Sequence, residues 1–222
     1  MSYRLKLLGF FVGAVGVLFV LNVAFSALNT LTRLTVVEAE RDRWQRPSDV
    51  IQVLNLKPGD VVADVGCGSG YFTLKLSGQV GTSGRVVAED IRWLPLAFLW
   101  LRMVSRRDGN VSVVLGGITD PHLPARVDAV LIANAYHEMT GSRLILAKVY
   151  ESLVQGGRLV VVDREPDAAS DAIAAPGAHE ISAERVESEI RQAKLAIVSR
   201  NDHFISSDPA RHSWWLIVAR KP

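Results

Sequence analysis

The hydrophobic pattern divides the chain into three kinds of segment. From Leu7 to Leu28 no residue is charged, and the strongly polar side chains are Asn22 and Ser26. As a helix this stretch rises about 33 Å, close to the thickness of a bilayer core. Its apolar surface on every face suits lipid better than a protein interior. Asn29 to Arg46 keeps helical character and gathers charge toward its end. Beyond it, short apolar runs alternate with amphipathic stretches and turn residues. Asp49 to Leu56 predicts a short helix, and Lys57-Pro58-Gly59-Asp60 a turn. Val61 to Val65 is a continuous apolar run ending in glycines, the mark of a strand buried on both faces. Helices are predicted over Tyr71 to Val80, Trp93 to Val104, Ser142 to Val154 (ended by Gly156-Gly157) and Ser182 to Lys194. Further strands are predicted over Arg85 to Asp90, Val111 to Leu115, Val127 to Ala133, Arg158 to Asp163, Leu195 to Arg200 and Trp214 to Ala219, with an Ala/Pro-rich loop from Pro166 to His179.

Strands alternating with helices imply a parallel sheet covered on both faces. The expected fold is α/β: a doubly wound, mostly parallel seven-stranded sheet behind an N-terminal transmembrane helix. The expected boundaries are a basic tail at 1–6, the anchor at 7–28, a linker or lid helix at 29–48 and the folded domain at 49–222.

Flanking charge orients the anchor. Arg4 and Lys6 precede it, while Arg33, Arg41, Arg43 and Arg46 follow it. Basic residues gather on the inner side of a membrane, so this excess predicts a single-pass protein of the inner membrane with its domain in the cytoplasm. The alternative is export after cleavage of a signal peptide, with Arg4 and Lys6 as its basic region, Leu7 to Leu21 as its apolar region and Ala24-Phe25-Ser26 as the cleavage site.

Charge and cysteine content then narrow the chemistry. Lys plus Arg number 25 and Asp plus Glu 23, a net charge of +2 that makes no electrostatic case for nucleic acid. The single cysteine, Cys67, excludes an intrachain disulfide and a cysteine zinc cluster, and five histidines without paired spacing predict no metal site.

The chemistry centres on the turn after the first strand, "ADVGCGSGYFT", Ala63 to Thr73. A strand-to-helix turn in a doubly wound sheet is where ligands bind, and glycines there let the backbone approach them closely. A dinucleotide loop reads G-x-G-x-x-G. Here the glycines are Gly66, Gly68 and Gly70, and aromatic Tyr71 stands where the third dinucleotide glycine belongs. The pattern is D-x-G-x-G-x-G, led by Asp64. It resembles the first motif of the class I S-adenosylmethionine-dependent methyltransferases. "RDRWQRPSDVIQVLNLKPGDVVADVGCGSGYFT" is similar to a bacterial branch of that family with a W-x-x-P segment before the glycine motif. "DPHLPARVDAVLIANAYHEM" and "LVQGGRLVVVDREP" resemble its fourth- and fifth-strand regions.

The resemblance implies a Rossmann-like fold with S-adenosylmethionine as cofactor, held by Asp64, Gly66, Cys67, Gly68 and Gly70. It also implies an acid at the end of the second strand for the ribose hydroxyls. Asp90, followed by Ile91, fits that frame, with Glu89 in reserve. Many relatives carry an acid after the glycine that ends their third strand. This chain has Gly116-Gly117, and Asp120 is the substitute for adenine contact. Asn134, Tyr136, His137 and Glu138 follow the fourth strand, and Asp163 ends the fifth. His137 reads equally as a general base and as a structural histidine, and Glu138 as a second acceptor-positioning candidate or a local cap. Trp44 stands where relatives place a segment over the cofactor, so a lid is one reading and ordinary packing the other. His179 lines either the acceptor pocket or a surface loop.

The leading expectation is a membrane-anchored methyltransferase with a small-molecule or lipid-like acceptor. A non-catalytic S-adenosylmethionine-binding module is the alternative, and the glycine spacing argues against a nicotinamide oxidoreductase.

Overall fold

The computed structural model describes residues 3–166, 180–206, 208–210 and 212–222, with side chains described from residue 15 onward. The chain forms two units, Met1–Arg41 and Asp42–Pro222. The first is made by helix α1 (Tyr3–Trp44), whose last residues enter the second. The expected anchor and the expected helix from Asn29 to Arg46 are one continuous helix. No glycine or proline occurs between Gly16 and Trp44 to break it. Thr30, Thr32 and Thr35 turn their hydroxyls onto carbonyls one turn back, at 3.0 Å each, which satisfies their polarity within the helix. Val15–Trp44 is long and apolar enough to cross a membrane, and its most apolar window has no buried residue.

The second unit is a seven-stranded sheet in the order β3-β2-β1-β4-β5-β7-β6. β1 (Val61–Val65), β2 (Arg85–Asp90), β3 (Val111–Leu115), β4 (Val127–Ala133) and β5 (Leu153–Arg164) run parallel. β7 (Trp214–Arg220) inserts antiparallel between β5 and β6 (Ala196–Ile205). The expected doubly wound sheet is therefore present. Val62 pairs with Ala129 across β1 and β4 while β2 and β3 extend the other way, which makes the β1–β4 boundary the topological switch point.

One apolar layer packs α2 (Pro47–Leu54), α3 (Tyr71–Val80) and α4 (Trp93–Arg106) on the sheet through Val50, Leu76, Leu96 and Leu99. The other packs α5 (Ser142–Ser152) and α6 (Ala183–Gln192) through Leu146, Val149, Val186 and Ile190. Strand alternation sends Trp214 into the first layer and Trp215 into the second, so both tryptophans are core.

Local differences from expectation have local causes. α5 ends at Ser152 rather than Val154, because Leu153 already pairs with Val127. The Gly156-Gly157 pair lies inside β5, where Gly156 takes φ +79° at a shift of register between Val127 and Ala129 on the partner strand. A single 3-10 turn, Tyr136–Glu138, follows β4 and was not anticipated. It is held by a buried network in which the Tyr136 hydroxyl (2.7 Å) and the Ser142 hydroxyl (2.8 Å) both donate to Glu189 of α6.

Candidate active site

Two loops diverge at the switch point: the glycine loop after β1 and the segment from Asn134 to Glu138 after β4. Gly66 takes φ +74°, and a Cβ there would lie 2.5 Å from the Cβ of Ala135 in the opposing loop. Gly70 takes φ +90°, and its Cβ would lie 2.4 Å from Cδ1 of buried Leu99. Both positions thus require glycine for backbone conformation and for space. The loop is pinned from two sides. The Cys67 amide donates to the Glu89 carbonyl at 2.8 Å, and the Arg102 guanidinium of α4 donates to the Ser69 carbonyl at 2.6 Å. No side chain caps α3 at Gly70, so its first amides remain directed at the loop.

These elements enclose a cavity of about 310 Å³. Gly66, Glu89, Asp90, Asn134 and Glu138 all line it, so five residues expected from sequence meet in one place. The Asp90 carboxylate is buried, accepting the Gly68 amide at 2.9 Å and, on its other oxygen, the Arg92 amide (2.8 Å) and Nε (3.2 Å). Glu89 has a single long bond, from the Gly66 amide at 3.4 Å. Asn134 adopts φ +54°, and its Oδ1 is buried with no hydrogen-bond partner. An orphaned acceptor at a cavity wall suits a ligand that brings a donor.

The remaining candidates lie elsewhere. Asp64 is buried beneath the loop and accepts the Thr73 hydroxyl at 2.6 Å. Cys67 is buried, and that burial pushes its thiol pKa far up, which leaves it an inert packing group. Asp120 sits in a turn. Its carbonyl accepts the Gly117 amide at 2.8 Å, and its carboxylate accepts the His122 amide at 2.8 Å. The His137 ring is buried, with Nδ1 2.8 Å from Asp163 Oδ1 and Nε2 3.6 Å from Glu138 Oε1. Asp163 also accepts the His137 amide, at 3.1 Å. Trp44 packs at 5.7 Å on Trp214, which pairs with Arg164 where β5 and β7 meet. His179 lies outside the described residues.

Sequence reasoning missed Arg92 as a site residue. Its guanidinium holds Asp90 and reaches within 4.0 Å of Glu138 across the cavity mouth. Its position directly after Asp90-Ile91 was the available signal. Among the described residues no cluster of metal-ligating side chains occurs.

Burial dominates the electrostatics of Glu89 and raises its pKa to about 8, the Gly66 amide opposing and the Asp90 and Asp64 charges adding to the rise. The folded chain therefore holds this proton more tightly than the unfolded chain. That contribution to stability is complete below pH about 4.5 and is lost as pH rises through about 8. Glu89→Gln should flatten the fall in urea-unfolding free energy across this window. An unchanged slope would mean that Glu89 is already ionised at neutral pH.

Residues 62–157 match the family model described as "Methyltransferase domain". The chain is 27% identical over 124 residues to a demethylmenaquinone methyltransferase of Symbiobacterium thermophilum, covering 55% of this chain and 49% of that protein. It is 31% identical over 123 residues to a ubiquinone/menaquinone biosynthesis C-methyltransferase of an Enterobacter species, covering 54% and 48%. The chain thus spans about half the length of the curated relatives it matches. Its fold is similar to that of an S-adenosylmethionine-dependent methyltransferase from Aquifex aeolicus, with TM-score 0.71 and 19% identity over 86% of this chain and 98% of the other. Residues 62–157 are thus similar to a methyltransferase domain. The likeness to methyltransferases supports S-adenosylmethionine as the cofactor.

Proposed function

We propose that the whole chain is an S-adenosylmethionine-dependent methyltransferase, anchored at the cytoplasmic face of a membrane and acting on a lipid-like acceptor. The observation that carries this reading is the convergence of Gly66, Glu89, Asp90 and the unpartnered Asn134 Oδ1 on one cavity. In this reading Asp90 and Glu89 accept the ribose hydroxyls, the amides at the start of α3 and Asn134 receive the polar methionine end, and Asp64 and Cys67 shape the loop from beneath. Bound S-adenosylmethionine supplies a methyl group on an electron-poor sulfonium. The chain's task is to align an acceptor with it, keep water out and take up a proton where the acceptor must lose one. Ile91, Ile118, Met139 and Ile145 give the cavity an apolar wall. That wall, together with relatives named for quinone substrates, supports an apolar ring or lipid-like acceptor. The Trp44 to Pro47 segment supports the W-x-x-P branch. The apolar helix Val15–Trp44 and the arginines after the span support the inward-facing anchor, with a cleaved signal peptide as the alternative.

Glu138 lines the cavity with its side chain half exposed, while His137 and Asp163 stand behind it. We assign Glu138 as the proton acceptor and His137 as the residue that positions it. Glu138→Gln should lower kcat about 10²-fold, the lower range for loss of a general base, with S-adenosylmethionine affinity within threefold. His137→Gln should lower kcat less and shift its pH profile. An unchanged kcat in Glu138→Gln would remove Glu138 from the chemistry. The reading as a whole is tested with the full chain in detergent. Calorimetry should show binding of S-adenosylhomocysteine and none of NADH, and labelled methyl should transfer to a demethylated naphthoquinol lipid. Binding without transfer to any of a lipid and metabolite panel would leave a non-catalytic binding module.

A further inference from the structure

Helix α4 is apolar over more than half of its circumference, and the sheet covers only part of that arc. Leu96 and Leu99 are buried, and Met103 packs against the same core. On the outward side, at 100° per residue, Trp93, Leu94, Ala97, Trp100, Leu101 and Val104 fall within a stripe about 120° wide. Trp93 is 69% exposed, Trp100 56% and Val104 57%. An amphipathic surface helix would carry polar side chains there. The apolar surface continues at the N-terminal end of the helix. Exposed Ile91 precedes Arg92 and Trp93 in the chain, and exposed Leu115 lies opposite Asp90 in the β2–β3 register. Ile91 and exposed Ile118 also line the cavity, so the patch reaches from α4 to the cavity mouth.

Charge indicates what covers this face. From Ile91 to Arg107 the chain contains no Asp or Glu, and Arg92, Arg102, Arg106 and Arg107 are all basic. Arg107 is exposed at the C-terminal end of the helix, which it caps in a left-handed conformation, and exposed Arg106 beside it pairs with Asp108 at 2.8 Å. Exposed tryptophans on an apolar stripe with arginines at its end form the pattern of a helix lying in a membrane interface, rings at the acyl boundary and guanidinium groups among anionic headgroups. The same chain carries an apolar helix of membrane-spanning length, which makes a bilayer the nearest apolar phase.

We propose that the outward face of α4, continued by Ile91, Leu115 and Ile118, docks on an anionic lipid surface and holds the cavity mouth against it. Resting on the reading of a lipid-like acceptor, this gives such an acceptor a route from the bilayer into the cavity without crossing water.

The test uses the full chain reconstituted in vesicles, with one nitroxide at a time on Ala97→Cys or Leu101→Cys. Ala147→Cys, exposed on α5, serves as the reference. Power saturation compares access by oxygen, which concentrates in lipid, with access by a water-soluble nickel chelate. In vesicles containing phosphatidylglycerol, the oxygen-to-nickel ratio at 97 and 101 should exceed that at 147 severalfold. It should fall toward the reference in pure phosphatidylcholine and in Arg106→Glu/Arg107→Glu. Equal ratios at all three sites would overturn the proposal and leave the face to a protein partner. Spin–spin broadening at 97, relieved by dilution with unlabelled chain, would overturn it in favour of a second copy. S-adenosylhomocysteine binding measured on the same labelled samples reads the cofactor site independently. Docking without binding would sink the methyltransferase reading alone, and binding without docking would sink the lipid surface alone.

Discussion

Gly66→Ala is expected to abolish cofactor binding and to destabilise the domain together. Its φ of +74° costs a side chain about 1–2 kcal/mol, and overlap with Ala135 adds about 1–3 kcal/mol, a combined loss of roughly 2–5 kcal/mol in urea unfolding. Ala135 Cβ is fixed to the backbone and has no rotamer by which to withdraw. Gly68→Ala provides the contrast. Gly68 has φ +54°, but nothing lies within 4 Å of where its Cβ would be, so the change should cost the backbone term alone, about 1–2 kcal/mol. If the space over Gly68 is where the cofactor lies, Gly68→Ala should still lower S-adenosylhomocysteine affinity about 10²-fold, equivalent to roughly 2.7 kcal/mol. A Gly68→Ala protein that binds normally would show that the loop is cramped for packing and not for a ligand.

Asp90→Ala should be the most damaging change among the cavity carboxylates. It removes the acceptor for the Gly68 amide, the Arg92 amide and Arg92 Nε, so it frees the glycine loop and the start of α4 at once. Hydrogen bonds to a charged group are each worth about 1.5–3 kcal/mol, so affinity in calorimetry should fall at least tenfold. Asp90→Asn, which keeps one acceptor oxygen, should recover part of the loss. Unchanged affinity in Asp90→Ala would transfer the ribose-binding role to Glu89, whose carboxyl is the less committed of the two.

How much of this was legible depended on whether local chemistry or distant contacts decide a residue's place. The five parallel strands and the glycine loop could be read because buried parallel strands are continuous apolar runs and Gly66, Gly68 and Gly70 carry a spacing. Glu89, Asp90, Asn134 and Glu138 followed from one rule, that residues at the carboxyl ends of strands face the ligand. The same rule does not say which strand-end residues turn inward. His137 sits beside Glu138 in sequence, yet its ring is buried against Asp163, because the 3-10 turn rotates neighbours to different sides. Asp64 leads the glycine motif but points below it to Thr73, since alternation along β1 gives it to the opposite face from the cavity residue Val65. Trp44 is placed by Trp214, far from it in sequence, and no local pattern foretells that pairing. The break expected near residue 28 followed a change of composition, and composition does not end a helix that lacks a breaker.

The place of β7 bears on the order in which the domain is assembled during synthesis. Its neighbours in the sheet are β5 and β6, and among the described residues β6 pairs with β7 alone. When β6 leaves the ribosome it has no strand to join, because the strand that links it to the sheet has yet to be made. The five parallel strands can collapse earlier around β1 and β4, but β5 then presents an open, strongly apolar edge: Leu159, Val160, Val161 and Val162, with unpaired amides between them. Domains fold in the order in which their parts emerge, so the nascent chain passes through a stage with a membrane-length apolar helix already exposed at one end and an unfinished sheet edge at the other. Early commitment of that helix to a bilayer would separate it from the sticky edge before the two have occasion to aggregate.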